Sequence, residues 1–314
     1  MKVTILGGAG GVGASTAFNL ALQGTGHEIV LVDTRPEMVM SHVMDLDQVI
    51  EQRPGCVIRG GEPSDAADAD VLVLASSTPL LPDVPRLEYL AGNAVIADEL
   101  TADLDESWPG VLLVATNPVD PLVTLVRERT GIDRRRIVGY TVNDTLRYRT
   151  GLARALGVSP GSVESWVLGE HGELSVPLRD HVRVDDADVH PTAAQLAAAE
   201  RYLRTWYPRH VALDSGRSST WTSGLGLSRM VAALGGEGEL WPASVVLDGE
   251  YGIVGAAVTV PVTLARGGVR TIHVWDLRAD ELDALRDSAE LVRAAVADAG
   301  GAPPRGVSVD EEGR

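Results

Sequence analysis

Val3-Thr4-Ile5-Leu6-Gly7-Gly8-Ala9-Gly10-Gly11-Val12-Gly13, running on into Ala14-Ser15-Thr16-Ala17, is the stretch on which the fold turns. A strand-length apolar run passes through a glycine loop into an apolar-periodic segment, Ala14 to about Leu22, that reads as a helix. Within the loop Gly8-x-Gly10-x-x-Gly13 has the spacing of a nucleotide turn, and Gly7 and Gly11 add a second, overlapping register around Val12. Glycine is required there because the turn is tight and a pyrophosphate must approach bare backbone at a helix N-terminus, where amide donors and the dipole favour an anion. Ile29 to Val32 reads as the next strand, and Asp33, 20 residues beyond Gly13, stands at its end. A carboxylate in that position takes both ribose hydroxyls and repels a 2′-phosphate, so NAD is expected over NADP, with Arg35 as a nearby counterweight.

Two more short, fully apolar runs follow, Val71 to Ala75 and Val111 to Ala115, each ending in a loop. Short apolar strands alternating with helical segments imply a parallel sheet covered on both faces. After about residue 143 the texture changes. Helices are expected at Asp144 to Leu156, Thr192 to Tyr207, Ser219 to Leu234 and Ala279 to Ala297, and strands at Val163 to Leu168, Ser244 to Leu247, Ile253 to Val262 and Val269 to Val274. The expected fold class is therefore α/β: a Rossmann doubly wound parallel sheet over residues 1–142, then a mixed α/β substrate domain over 143–299. Residues 300–314, rich in Gly, Pro and charge, are expected to be a disordered tail.

Composition removes several classes. The 314 residues are enough for two ordinary domains, and a formal net charge of −17 argues against a nucleic-acid or anionic-membrane surface, since both need basic patches. The one cysteine, Cys56, reads as a small apolar filler. It can form neither an intramolecular disulfide nor a thiolate metal cluster, so a reducing cytoplasm is expected and no metal. Lys2 is the only lysine, which rules out a phosphate-binding Gly-Lys-Ser/Thr loop, a Tyr-x-x-x-Lys pair and a Schiff base. No apolar run approaches the length of a bilayer span.

Four segments carry chemistry. Gly169-Glu170-His171-Gly172-Glu173 puts a histidine on a glycine-flanked turn after a strand, and Asn143-Asp144-x-x-Arg147 puts a carboxylate and a guanidinium on one helix face. Thr116-Asn117-Pro118-Val119-Asp120 ends an apolar strand, where open α/β sheets present ligand-binding groups. Pro82-Asp83-Val84-Pro85-Arg86 is a Pro-rich loop with one arginine.

Taken in order with the glycine loop and VDTRPE at 32–37, these segments resemble the lactate/malate dehydrogenase family, nearer its malate dehydrogenase-like branch by the glycine loop. VMDL at 43–46, NPVD at 117–120, VNDTLRYR at 142–149, GEHGELSVP at 169–177 and GEYGIVGAAVTVPV at 249–262 carry the resemblance across nearly the whole chain. It implies an oxidoreductase that moves a hydride between NAD(H) and C2 of a small 2-hydroxy or 2-oxo acid, in a homodimer or homotetramer. It makes His171 the base for the hydroxyl proton, Asp144 its ring partner, and Arg147 the bidentate clamp on the C1 carboxylate. Arg86 becomes a group on a mobile lid that polarises the C2 carbonyl, and Asn117 a hydrogen-bonding partner of substrate oxygen or nicotinamide.

Two departures stand out. Malate-specific members carry a lid arginine six residues before the one matching Arg86; here that place holds Leu80, with Leu81 next to it. An unpaired C4 carboxylate against leucine is unfavourable, so ordinary malate is not the expected substrate. Arg217, in the SGRSST stretch with Ser219, resembles a pocket-lining segment and offers a replacement cation, which leaves a malate dehydrogenase as the near rival. Glu173 in place of the family's Asp is a minor change. The rivals from other classes are an NAD-binding sensor without catalysis, which would not need all four of His171, Asp144, Arg147 and Arg86, and a metal-dependent glycosidase, for which Cys56 stands in the wrong half.

Overall fold

The computed structural model describes residues 1–26, 28–78, 89–216 and 218–300. Leu80, Leu81 and Arg86, together with Arg217 and the tail beyond Gly300, lie outside the described residues.

The first half alternates strand and helix: β1 (Lys2–Leu6), α1 (Gly11–Gln23), β2 (Glu28–Val32), α2 (Pro36–Gln52), β3 (Val57–Gly60), β4 (Val71–Leu74), α3 (Leu90–Leu100), β5 (Val111–Val114), α4 (Val119–Thr130) and β6 (Ile137–Tyr140). Its strands lie in the order β3-β2-β1-β4-β5-β6, all parallel, which is the doubly wound dinucleotide arrangement with its crossover between β1 and β4. The expected apolar runs are its central strands. Every residue of β4, β5 and β6 is buried, because helices cover both faces. Cys56 is buried among the apolar core residues.

The second half contributes α5 (Val142–Leu156), β7 (Val163–Glu164), β8 (Val167–Gly169), β9 (Ser175–Pro177), β10 (Arg183–Val184), β11 (Ala187–Asp188), α6 (Ala193–Val211), α7 (Thr220–Leu234), β12 (Glu239–Asp248), β13 (Val254–Ala265), β14 (Gly268–Ile272) and α8 (Ala279–Ala299). Its long strands do not form a separate layer. β12 pairs antiparallel with β6, Ala243 opposite Tyr140, and carries the sheet onward through β13 and β8 to β9. Gly139 permits that junction, since a Cβ there would stand 2.8 Å from the Ser244 Cβ.

One expected strand is two. Val163 to Leu168 breaks at Ser165 and Trp166, leaving β7 in a small sheet with β10 and β11 while β8 joins the main sheet and runs into the turn that bears His171. Alternation of apolar residues cannot reveal such a change of sheet, because both short strands keep the same period. Among the described residues no helix is long and apolar enough to cross a membrane.

Candidate active site

The glycine loop joins β1 to α1 at the crossover. Gly7 has φ +89, and a Cβ on it would stand 2.6 Å from the Ser76 amide nitrogen at the end of β4. A Cβ on Gly13 would meet the Gly7 carbonyl oxygen at 2.2 Å, so the first turn of α1 rests on the loop itself. Gly11 differs in cause: its missing Cβ makes room for the Thr220 methyl 2.5 Å away, on the first residue of α7. Gly8 packs on Leu31 in the neighbouring strand, and Gly10 is the N-cap of α1. No side chain caps α1 and its first turn, Gly11 through Gly13 with Val12, holds no acid. The helix thus presents amide donors to an anion on a surface with almost no side chains. Asp33, its side chain 7% exposed, accepts from the Ala9 amide at 3.0 Å and pairs with Arg35 Nε at 3.0 Å. This bare cradle ending on a buried carboxylate fits a pyrophosphate and an adenosine ribose.

The charged cluster lies where β5, β8 and α5 converge. His171, Asp144 and Arg147 are all buried. His171 Nδ1 lies 2.5 Å from Asp144 Oδ2, and Arg147 Nη1 donates to the other oxygen, Asp144 Oδ1, at 3.1 Å. A carboxylate only accepts, so Nδ1 carries the proton and Nε2 is the basic nitrogen. The i, i+3 spacing read from the sequence brings Asp144 and Arg147 into contact on α5.

Asn117 ends the loop after β5. Its carbonyl accepts from Asn93 Nδ2 at 2.6 Å, and Asn93 Oδ1 in turn accepts from the Thr78 amide at 2.7 Å, so α3 staples the ends of β4 and β5 together. The Asn117 side-chain oxygen is buried with no hydrogen-bond partner among the described residues, the condition of a group kept for a ligand. Ser219 is the N-cap of α7; its carbonyl accepts from Ser223 Oγ, which accepts from Asn143 Nδ2 next to Asp144. Its hydroxyl makes no capping bond.

Besides Asn93, three residues at the site carry roles that sequence reasoning did not assign. Asp120, within NPVD, is 1% exposed and accepts from the His171 amide at 2.7 Å. Burial first, and the charge of Glu170 second, push its carboxyl up to about 7. Arg204 on α6 donates to the carbonyls of Glu173 (2.6 Å) and Ser175 (2.7 Å), which ties that helix to the turn that bears His171. Trp206, two residues on, lays its ring 4.0 Å from the Arg147 guanidinium carbon. The asparagine inside the apolar stretch of α3 was a readable signal for Asn93; nothing local marks Arg204 or Trp206.

Two family models account for the chain. The lactate/malate dehydrogenase NAD-binding domain matches residues 1–139, and the lactate/malate dehydrogenase alpha/beta C-terminal domain matches residues 141–300. A malate dehydrogenase of Natronomonas pharaonis is 34% identical over 295 residues, covering 92% of this chain and 96% of its own. An L-lactate dehydrogenase 2 of Staphylococcus aureus is 31% identical over 290 residues, covering 89% and 91%. Among solved structures, the malate dehydrogenase from Aeropyrum pernix superposes with a TM-score of 0.87 at 25% identity, over 94% of this chain and 97% of that one. The minor L-lactate dehydrogenase from Enterococcus mundtii does so with 0.85 at 27%, over 95% and 98%. With the glycine cradle, the His171–Asp144–Arg147 cluster and these matches in agreement, the chain belongs to the lactate/malate dehydrogenase family, its cofactor NAD.

Proposed function

We propose that the enzyme moves a hydride between NAD(H) and C2 of a small 2-hydroxy or 2-oxo acid whose C3 substituent is not the carboxylate of ordinary malate. The observation that carries the reaction is the buried contact of His171 Nδ1 with Asp144 Oδ2, 2.5 Å apart. NAD, when bound, supplies the hydride acceptor. The chain supplies the proton chemistry: Nε2 of His171 takes the hydroxyl proton, and Asp144 holds the ring and favours the imidazolium that forms. Arg147 clamps the C1 carboxylate, Asn117 offers its buried oxygen toward the substrate or nicotinamide, and Arg86 has the role of polarising the C2 oxygen. Gly7, Gly8, Gly10, Gly11, Val12 and Gly13 hold the pyrophosphate end, with Asp33 on the ribose. We divide these roles between a nucleotide half, 1–142, and a substrate half, 143–299, and assign the enzyme to the cytoplasm as a homodimer or homotetramer.

The reading of substrate choice rests on the sequence, in which Leu80, followed by Leu81, stands at the position where malate-specific members carry a lid arginine. Leaving a second carboxylate buried and unpaired weakens transition-state binding by a few kcal/mol. The second reading, a malate dehydrogenase that recruits Arg217 and Ser219, is favoured by the name of the Natronomonas relative. An NADH-consumption screen of oxaloacetate, pyruvate and branched, aromatic and phosphonate 2-oxo acids decides between them. We expect oxaloacetate to rank low and Leu80→Arg to raise it. Oxaloacetate as best substrate, lost specifically in Arg217→Ala, establishes the second reading instead.

A further inference from the structure

We propose that Trp206 is a positioning residue for the substrate's carboxylate clamp and that substrate binding at Arg147 is reported by its indole. The proposal rests on the reading of Arg147 as that clamp and extends it to a helix to which no role in the reaction has been assigned.

The geometry restrains the guanidinium in two independent ways. Nη1 is held in the plane of the group by Asp144 Oδ1 at 3.1 Å, and one face is covered by the Trp206 ring at 4.0 Å. A planar fork gains its advantage for a carboxylate only when its plane is fixed beforehand, because the entropy of ordering it then falls outside the binding step. The Asp144 bond holds the rim of the group, and the aromatic ring lies over its face. The stack also keeps water off one side of the cation while taking no N–H donor from it, since an aromatic ring interacts with the face and not the rim.

Trp206 is itself held. On its other contact it stacks with the His210 ring, centroids 5.0 Å apart and planes within 14°, one turn along α6. Two residues before it, Arg204 is fixed to the Glu173 and Ser175 carbonyls of the turn that bears His171. One helix therefore supports both the turn of the base and the plane of the clamp. Trp206 is only half-buried, and its ring lies against the guanidinium that would receive the ligand.

The test combines kinetics with fluorescence on the full-length enzyme. Trp206→Ala is expected to raise KM for the best 2-oxo acid, and Ki for oxamate, by about tenfold, a desolvated cation–π contact's share, with kcat changed far less and NADH affinity unchanged. Trp206→Phe, which keeps an aromatic face, is expected to recover most of that loss. Oxamate added to the enzyme–NADH complex is expected to change tryptophan emission in the wild type and in Trp275→Phe, and to leave it unchanged in Trp206→Phe. Equal KM and Ki in wild type and Trp206→Ala, or an emission change that survives in Trp206→Phe, overturns the proposal. Arg147→Lys separates this from the parent reading. If the lysine variant keeps a near-normal kcat/KM, Arg147 is not the clamp and both fall; if it loses about a hundredfold while Trp206→Ala loses nothing, only the stacking proposal falls.

Discussion

The two ends of the site are built on opposite principles. The nucleotide end uses almost no side chains: glycines at 7, 8, 10, 11 and 13 bring backbone to a helix terminus, and one carboxylate, Asp33, closes it. The candidate catalytic end is made of ionisable groups taken out of water, with His171, Asp144, Arg147 and Asp120 all buried and each provided with a partner. The first offers an anion oriented amides that need no further support. At the second, each charge is tolerable only because another segment of the chain stands beside it. Failure should therefore look different at the two ends: a geometric fault in the first, a chemical one in the second.

The largest effects test that contrast directly. His171→Ala is expected to lower kcat by about 10³-fold or more while NADH binding stays near normal, because a general base is removed and the cradle is untouched. Gly13→Ala is expected to do the reverse. Its Cβ would stand 2.2 Å from the Gly7 carbonyl, so the loop must open and NADH affinity and melting temperature must fall, with the His171–Asp144 pair intact. Steady-state rates beside NADH fluorescence titrations resolve the two patterns. Should Gly13→Ala bind NADH normally, the cradle is not the nucleotide site.

The same contrast explains what could be read from sequence. Everything at the nucleotide end lies within 33 residues of the start and is imposed by local rules, so loop, helix and acid were legible together. At the catalytic end the helix spacing gives the Asp144–Arg147 pair, but the partner of His171 stands 27 positions away, and only family resemblance joined them. Asp120 was visible in NPVD without a task, because nothing in the chain order says that its carboxylate receives the amide of His171, 51 positions on. Trp206 and Arg204 were hidden for the same reason, inside a helix correctly expected from its period. Where β7 and β8 part company at Ser165 and Trp166, the strand period is silent because it records faces and not sheets.

A smaller effect sharpens the nucleotide end. Asp33 accepts from Ala9 and pairs with Arg35, and a 2′-phosphate would bring a second negative group against that carboxylate. NADH is expected to exceed NADPH in kcat/KM by at least about a hundredfold, two to three kcal/mol of like-charge repulsion and lost ribose bonds. Asp33→Ser should narrow the gap mainly by improving NADPH, as Arg35 is released to meet the phosphate. Equal use of both cofactors by the wild type would remove the ribose-reading role from Asp33.

The smallest expected effect on turnover lies in Asp120, whose titration acts on stability instead. Burial, with the negative charge of Glu170, pushes the Asp120 carboxyl up to about 7, from an ordinary value near 4 in the unfolded chain. Between those two values the folded protein holds a proton that the unfolded chain has released. Stability from this group is thus fully present below about pH 4 and declines as pH rises through 7, the reverse of the usual carboxylate, with a limiting slope of about 1.4 kcal/mol per pH unit. Asp120→Asn keeps an oxygen to accept from the His171 amide but has no proton to lose. Its urea midpoint should therefore lie closest to the wild type's at pH 5 and gain on it at pH 8, while kcat at either pH stays within about tenfold of wild type, since one hydrogen bond is retained. Parallel stability curves for the two proteins would mean that Asp120 is ionised throughout, stabilised by a partner that outweighs its burial. A kcat lost at both pH values would instead make the charge of Asp120, and not only its hydrogen bond, part of what holds His171 in place.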